Sequence, residues 1–303
     1  MLTTKVIPAD FESQDFRMSF GEIGDFMWGA FAETYASSSD EDADDRNMLI
    51  GIKPKKHSRT VLWNCMVTVS LALRSADREK QLIFAQGSSL CHVGDPRTTQ
   101  ASGRIAWNHS NYERAREVME PGSTGEVNVA IVESFQVDLS DPKNSLLEDE
   151  DDAALFKIDG EEMWLSKKVL SSRSPYFNTL LKAKPEDFYT LANVKLEEFL
   201  PLLGILHDVD INIDVSTVEY LLKLAHRFEC KSVLRTCEAY LRSAPLKDVS
   251  ITKKLVLADK YQMKRLLVET IDQMLIYEWR QFPGKFALSS LARDLIDRKL
   301  SLC

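Results

Sequence analysis

The stretch Leu165-Ser-Lys-Lys-Val-Leu-Ser-Ser-Arg-Ser-Pro-Tyr-Phe-Asn-Thr-Leu-Leu181 decides how the C-terminal half of this 303-residue chain folds. Ser166 stands where a hydroxyl caps a short helix whose apolar side carries Val169 and Leu170. Ser174 followed by Pro175 is a second N-cap, with proline at the first helical position, where its missing N–H breaks no bond. Two short helices therefore meet at Ser174. The second presents Tyr176, Phe177, Leu180 and Leu181 at the spacing of a buried stripe, so these side chains are expected in a core.

Outward from this stretch the pattern stays regular. Upstream, Leu155-Phe-Lys-Ile158, Gly160 and Met163-Trp-Leu165 read as a hairpin. Downstream, Phe188 to Val194 reads as a strand, and Leu196 to Leu206 as a helix that Pro201 and Gly204 should keep short or kinked. Ser216-Thr-Val-Glu219 has the form of a capping box launching a helix that buries Val218, Leu221, Leu222, Ala225 and Phe228. Its partner runs from about Lys231, with Val233, Leu234, Cys237, Tyr240 and Leu241 on one face and Cys230 and Cys237 as core thiols. Ser250 to Val268 gives two further amphipathic helices.

This order of hairpin, helices, strand, helix and helical pair resembles the BTB (POZ) fold from about Asp152 to Leu241. The family's opening pattern is an apolar residue, His, Lys, two residues, Leu, three residues, Ser, one residue and Tyr-Phe; here Ser166 stands where the His usually does. Cys237-Glu238 in the last helix resembles the nematode branch of the family. The resemblance implies a homodimer formed around the hairpin and first helices, with Asp152, Trp164, Lys167 and Val169 at its interface. It also implies docking on a cullin-3 type scaffold through Leu181, Glu186 and Phe188, extended by the post-BTB helices through Tyr261 and Leu266. Cullin-binding members carry an apolar residue, any residue, then Glu after the Tyr-Phe helix, and this chain has Lys184-Pro185-Glu186. Two readings stay open there: Phe188 substitutes as the anchor beside Glu186, or Glu186 is a plain loop carboxylate and Phe188 opens a core strand.

The N-terminal half has a different pattern. Thr60 to Leu73 is long, apolar and rich in β-branched residues, and Gly125 to Val132 alternates. Glycine and proline at Gly87, Gly94, Pro96, Gly103, Pro121 and Gly122 punctuate it into short strands. Phe26-Met-Trp28, Trp63 with Cys65, Ile105-Ala-Trp107 and Glu126 to Ile131 together resemble the MATH domain, an eight-stranded sandwich, from about Ser19 to Asp138. Two acidic runs, Ser37 to Asp45 and Asp141 to Asp152, self-repel, the first as a loop and the second as an interdomain linker. The expected fold is therefore multidomain: a MATH-like β-sandwich over 19–138, an acidic linker over 139–151, an α/β BTB domain over 152–243 and a helical extension over 244–303.

A hydrophobic content of 44% and a charged content of 28% are ordinary for a globular protein, and no apolar run reaches the ~20 residues that span a bilayer. No secretory signal is expected at Met1 to Asp10, which places the protein in the cytosol or nucleus with its five cysteines reduced. The net charge of -8, with no clustered Lys and Arg, argues against nucleic acid. Catalysis finds no support: Cys91-His92 would point to opposite faces of a strand, with His92 to solvent, and Glu161-Glu162 and Glu197-Glu198 look like solvated carboxylates. No metal-ligand spacing or phosphate loop occurs, so no cofactor is expected. The sequence therefore reads as a non-enzymatic adaptor: the N-terminal domain captures a substrate protein of unknown identity, and the BTB domain dimerises and docks on a ubiquitin ligase scaffold. The alternative is a BTB self-association or scaffold protein with no cullin partner.

Overall fold

The computed structural model describes residues 2–8, 21–36, 44–56, 58–75, 81–93, 105–106, 124–183, 188–282, 284 and 287–301. The N-terminal strands are β1 (Leu2–Pro8), β2 (Gly21–Ile23), β3 (Phe26–Ala36), β4 (Asp44–Pro54), β5 (Val61–Arg74), β6 (Gln81–His92), β7 (Ile105–Ala106) and β8 (Thr124–Asp138). They form two four-stranded sheets, in the orders β1-β8-β5-β6 and β2-β3-β4-β7. The rings of Phe26 on β3 and Trp63 on β5 lie 5.9 Å apart and bring the two sheets together. Trp28 is fully buried in the same layer, and Gly21 is required opposite it, because a Cβ there would stand 2.7 Å from the indole nitrogen.

Strand β5 shows why the sheet settles as it does. Trp63, Cys65, Val67 and Val69 are buried, alternating with half-buried Asn64, Met66, Thr68 and Ser70, the period of a strand with one face inward. At Val61-Leu62-Trp63 the alternation stops and all three are buried, so that end of β5 is covered on both faces. A β-bulge interrupts the pairing of β5 with β8, where Met66 faces Glu133 and Val67 faces Ile131. The extra residue, Val132, is 65% exposed.

The acidic run Ser37 to Asp45 lies mostly outside the described residues, as does Trp107; Asp44 and Asp45 open β4, opposite Ala36 and Tyr35. The second acidic run is not a free linker. Leu139 is fully buried, its N–H donates to Thr60 O at 3.1 Å, and its carbonyl accepts the Trp164 N–H at 2.7 Å. Asn144, also buried, donates from Nδ2 to Asp141 O and Trp164 O, while its Oδ1 accepts the Leu146 N–H. A few amides and one leucine thus fold a segment whose charge alone predicts a tether.

The second sheet region has the order β10-β9-β11, from β9 (Ala153–Ile158), β10 (Glu161–Ser166) and β11 (Tyr189–Thr190). The strand expected over Phe188 to Val194 is thus only two residues, parallel to β9, and Asn193 at φ 58° turns the chain away. The helices are α1 (Lys167–Arg173), α2 (Pro175–Ala183), α3 (Leu196–Leu206), α4 (Val218–Arg227), α5 (Lys231–Ser243), α6 (Ile251–Lys260), α7 (Lys264–Gln273), α8 (Ile276–Gln281) and α9 (Ser290–Ser301). Helix α3 runs its full eleven residues through Pro201 because Leu196, Phe199, Leu200, Leu202, Leu203 and Leu206 are all buried, which outweighs the ~3 kcal/mol a helix-interior proline costs. Gly204 is not a blemish: a Cβ there would meet Ile211 at 2.8 Å and Leu62 at 3.5 Å.

The chain divides into two compact units, Met1–Leu165 with Phe188–Asn212, and Ser166–Asp187 with Ile213–Cys303. The division does not fall at the acidic run. The β9–β11 strands and α3 belong to the unit of the N-terminal sheets, and the remaining helices form the other.

Candidate protein-interaction surfaces

In the helical unit, Ser174 ties two helices together. Its Oγ accepts the Phe177 N–H at 3.1 Å, capping α2, and donates to the carbonyl of Phe228, the residue that ends α4. Both groups and the hydroxyl are buried, so each bond is made away from water. Around them Tyr176, Phe177 and Phe228 pack with centroids 5.0–5.3 Å apart. Phe177 is fully buried, whereas Tyr176, Leu180 and Leu181 are half-buried, so the expected stripe is a core flank with an accessible rim. Ser166 caps α1 as its position predicts, accepting the Val169 N–H at 3.1 Å. Val218, Leu221, Leu222, Ala225 and Phe228 are all buried. The capping box expected at Ser216 does not form: Asp214 Oδ1 takes the N–H groups of Ser216 and Thr217, and Thr217 Oγ1 accepts the Asp214 N–H. A carboxylate is the stronger acceptor, and it moves the cap upstream.

The helical extension is joined on by Glu238. Its carboxylate accepts the Leu266 N–H at 3.1 Å, in the first turn of α7, while its neighbour Cys237 is buried. One face of α5 thus holds the core and the adjacent residue caps the next helix pair. Arg242 adds a two-pronged bond to Glu269 on α7, with both distances 2.6 Å, which draws the Glu269 carboxyl below its ordinary range.

The proposed interface residues fall in contrasting places. Asp152 is buried, its carboxylate accepting the Glu148 N–H and its own N–H bonded to Asp149, so it holds its own turn instead of facing outward. Trp164, expected as an exposed ring, is half-buried, with its backbone tied to Leu139 and Asn144. Lys167 and Val169 are half-buried on α1. On the other candidate surface, Lys184 to Glu186 lie outside the described residues. Phe188 is 51% exposed and precedes β11, so it does not open a core strand. Tyr261 and Leu266 are 8% and 2% exposed; they are core positions of the extension and do not offer a surface, because their helices use those faces to pack. Exposed apolar groups of the extension include Val256 on α6 and Val268 on α7, together with Leu246, Leu275, Tyr277 and Leu291.

Residues 146–245 match the BTB/POZ domain family. This chain carries a BTB/POZ domain. The match starts within the acidic run, in agreement with the packed turns found there. Among curated proteins the chain is 25% identical over 255 residues to "BTB and MATH domain-containing protein 38" of Caenorhabditis elegans, covering 82% of this chain and 63% of that protein. It is 23% identical over 271 residues to "BTB and MATH domain-containing protein 36" of the same organism, covering 84% and 80% respectively. The chain thus spans less than two thirds of the first relative's length. Among solved structures, the BTB domain of human gigaxonin aligns at 22% identity over 29% of this chain and 75% of that chain, with a TM-score of 0.27.

The BTB domain's thiols are core groups. Burial pushes Cys237 up to about 12 and Cys230 up to about 11, the latter offset in part by Ser174, so neither supplies a thiolate near neutral pH. Cys65 in the N-terminal sheet is likewise pushed up to about 12, by burial and then by Cys91 opposite it. His92, expected to face solvent, is fully buried, with Nδ1 2.8 Å from Val93 O, because that face of the sheet is covered. The paired glutamates are surface ion-pair partners: Glu161 with Arg59, Glu162 with Lys157, and Glu197 and Glu198 with Lys195. Sequence reasoning missed Arg59, Leu139, Asn144 and Asp214, of which only Asp214, an acid four residues before the first residue of α4, carried a local signal.

Proposed function

We propose that this protein is a non-enzymatic adaptor of a cullin-3 type ubiquitin ligase, acting in the cytosol or nucleus, in which the N-terminal sheets form a MATH-like capture module and the BTB domain dimerises. The observation that carries this reading is the join at Glu238, which builds a helical extension onto the BTB core as one continuous packed element. Exposed Phe188 is the apolar contact offered to the scaffold, and in the helical unit half-buried Leu181 and exposed Val256 and Val268 are available where Tyr261 and Leu266 are not. Dimerisation doubles the capture sites and raises the effective concentration at the second once the first is filled. Pull-down of full-length protein probed for a cullin tests the reading, with Phe188→Ala expected to reduce recovery. Capture of the scaffold equally by a chain ending at Leu241 would overturn the role given to the extension.

A second reading, self-association without a cullin, is favoured by Lys184 at the apolar position of the docking loop. Light scattering separates the cases: a dimer that captures no cullin supports the scaffold reading, and a monomer at micromolar concentration overturns both.

A further inference from the structure

Inside the first compact unit, β5 and β8 meet the β9–β10 hairpin and α3 along a seam that capture and dimerisation leave unexplained. Three different kinds of contact converge there. Arg59, in the turn before β5, reaches the β9–β10 turn, with Nη2 donating to Asp159 at 2.7 Å and Nη1 to Glu161 at 3.2 Å. That turn has both central residues at positive φ, Asp159 at 52° and Gly160 at 84°, the tight hairpin geometry that holds the two carboxylates beside one guanidinium. Leu62, fully buried, packs where Gly204 thins α3, and Asn64 Nδ2 donates to Asp210 O at 3.0 Å. The chain crossing from β8 is itself fastened, by Leu139 between Thr60 and Trp164.

We propose that this seam is a built-in clamp that fixes the N-terminal β module on the BTB sheet, so that a protein captured by the module is presented in one orientation instead of swinging on a tether. The clamp stands on the contacts alone; its use for presentation rests on the adaptor reading above. The exposed Arg59 pairs contribute little stability by themselves and act as the register pin, because a planar fork meets two carboxylates in one geometry only. The burial of Leu62 and Leu139 supplies the holding force. In a dimer the clamp sets the two capture surfaces at one separation, which favours a two-motif protein ligand of matching spacing over one of arbitrary spacing.

Hydrogen exchange on the full-length protein tests the clamp. The Trp164 N–H, which crosses the seam to Leu139 O, and the Leu139 N–H, which ends the β5–β8 ladder at Thr60 beside the seam, should exchange as slowly as the Val127 and Val129 amides of β8. Arg59→Glu turns both attractions into repulsions at an exposed site that the fold tolerates, and it should speed exchange of Leu139 and Trp164 about tenfold while leaving Val127 and Val129 unchanged. Gly204→Val, which forces methyl groups toward Ile211 and Leu62, should do the same from the other side of the seam. Exchange of Leu139 and Trp164 at the rate of open peptide in the unaltered protein, or no change in either variant, would overturn the clamp. Cullin capture and dimer mass are read separately, so failure of the adaptor reading leaves the exchange result standing, and the reverse.

Discussion

The β5–β8 ladder and the α4–α5 helix pair bury the same kinds of apolar side chain, yet they find their partners over very different lengths of chain. Val61 pairs with Asp138 and Arg74 with Thr124, and the strand between is set by contacts whose two sides are far apart in sequence. Helices α4 and α5 are joined by a short turn in which Glu229 adopts φ 53° and the Cys230 N–H reaches Ala225 O. The helical unit is therefore organised by caps and turns that act within a few residues, and the sheet unit by register. That is why the α4 stripe of Val218, Leu221, Leu222 and Ala225 follows from its spacing, while the added burial of Leu224, the outward bulge at Val132 and the inward turn of His92 do not follow from theirs.

Four experiments would break or sharpen this contrast, taken from the largest expected effect down. Phe177→Ala empties the aromatic cluster with Tyr176 and Phe228 and should cost about 3–5 kcal/mol in urea unfolding. A loss below about 1 kcal/mol would mean the cluster is not packed as described. Ser174→Ala removes both a helix cap and a buried donor, and should cost about 1–3 kcal/mol, whereas Ser166→Ala removes one cap bond and should cost about 1 kcal/mol or less. Equal losses at the two serines would show that the bond to Phe228 adds nothing.

The third experiment addresses the sheet unit. Burial works against ionisation of Asp138, but the hydrogen bonds from Lys56, Ser140 and Thr60 together outweigh it and bring the carboxyl down to about 2. A depressed folded-state value stabilises the fold above the unfolded value near 4, and that stability is lost as the pH falls toward 2. The contribution is about 1–2 kcal/mol, less than the full linkage because Lys56 is well exposed and its charge is screened. Acid titration of stability should therefore flatten between about pH 4 and 2 in Asp138→Asn, and an unchanged acid limb would remove Asp138 from the account. The smallest effect is expected for Glu238→Ala, about 0.5–1 kcal/mol, with faster exchange of the Leu266 amide as the specific readout. Unchanged exchange there would detach Glu238 from the join between BTB core and extension.

Much of the helical half was legible before any coordinates. Ser166 and Ser174 each cap the helix their position predicts, the expected stripe of α4 is buried, and on α5 Val233, Cys237 and Leu241 are buried while Leu234 and Tyr240 are half-buried. Where legibility failed, a stronger or more distant partner had intervened. Asp214 displaced the Ser216 box, burial on all sides kept α3 intact through Pro201, and Asn144 with Leu139 folded a run that charge counting reads as a tether. The candidate surfaces fared unevenly for a related reason. Spacing identifies an apolar helix face, but Tyr261 and Leu266 lie on faces that other helices cover, and Asp152 spends its carboxylate on its own turn.

The sequence by itself determined the long strands β5 and β8, the β9–β10 hairpin, the helices α1 to α7 with the caps of α1 and α2, and that the C-terminal half has the order of a BTB domain. These follow from rules that act within one turn or one pleat, between groups that the covalent chain already holds close. Only the tertiary structure decided that Arg59 meets Asp159 and Glu161, that Leu62 is covered on the second face of its strand, and that the acidic run is fastened at Leu139. Those contacts join residues from separate elements, and their approach is set by the summed packing of everything between them, a quantity that no local pattern encodes.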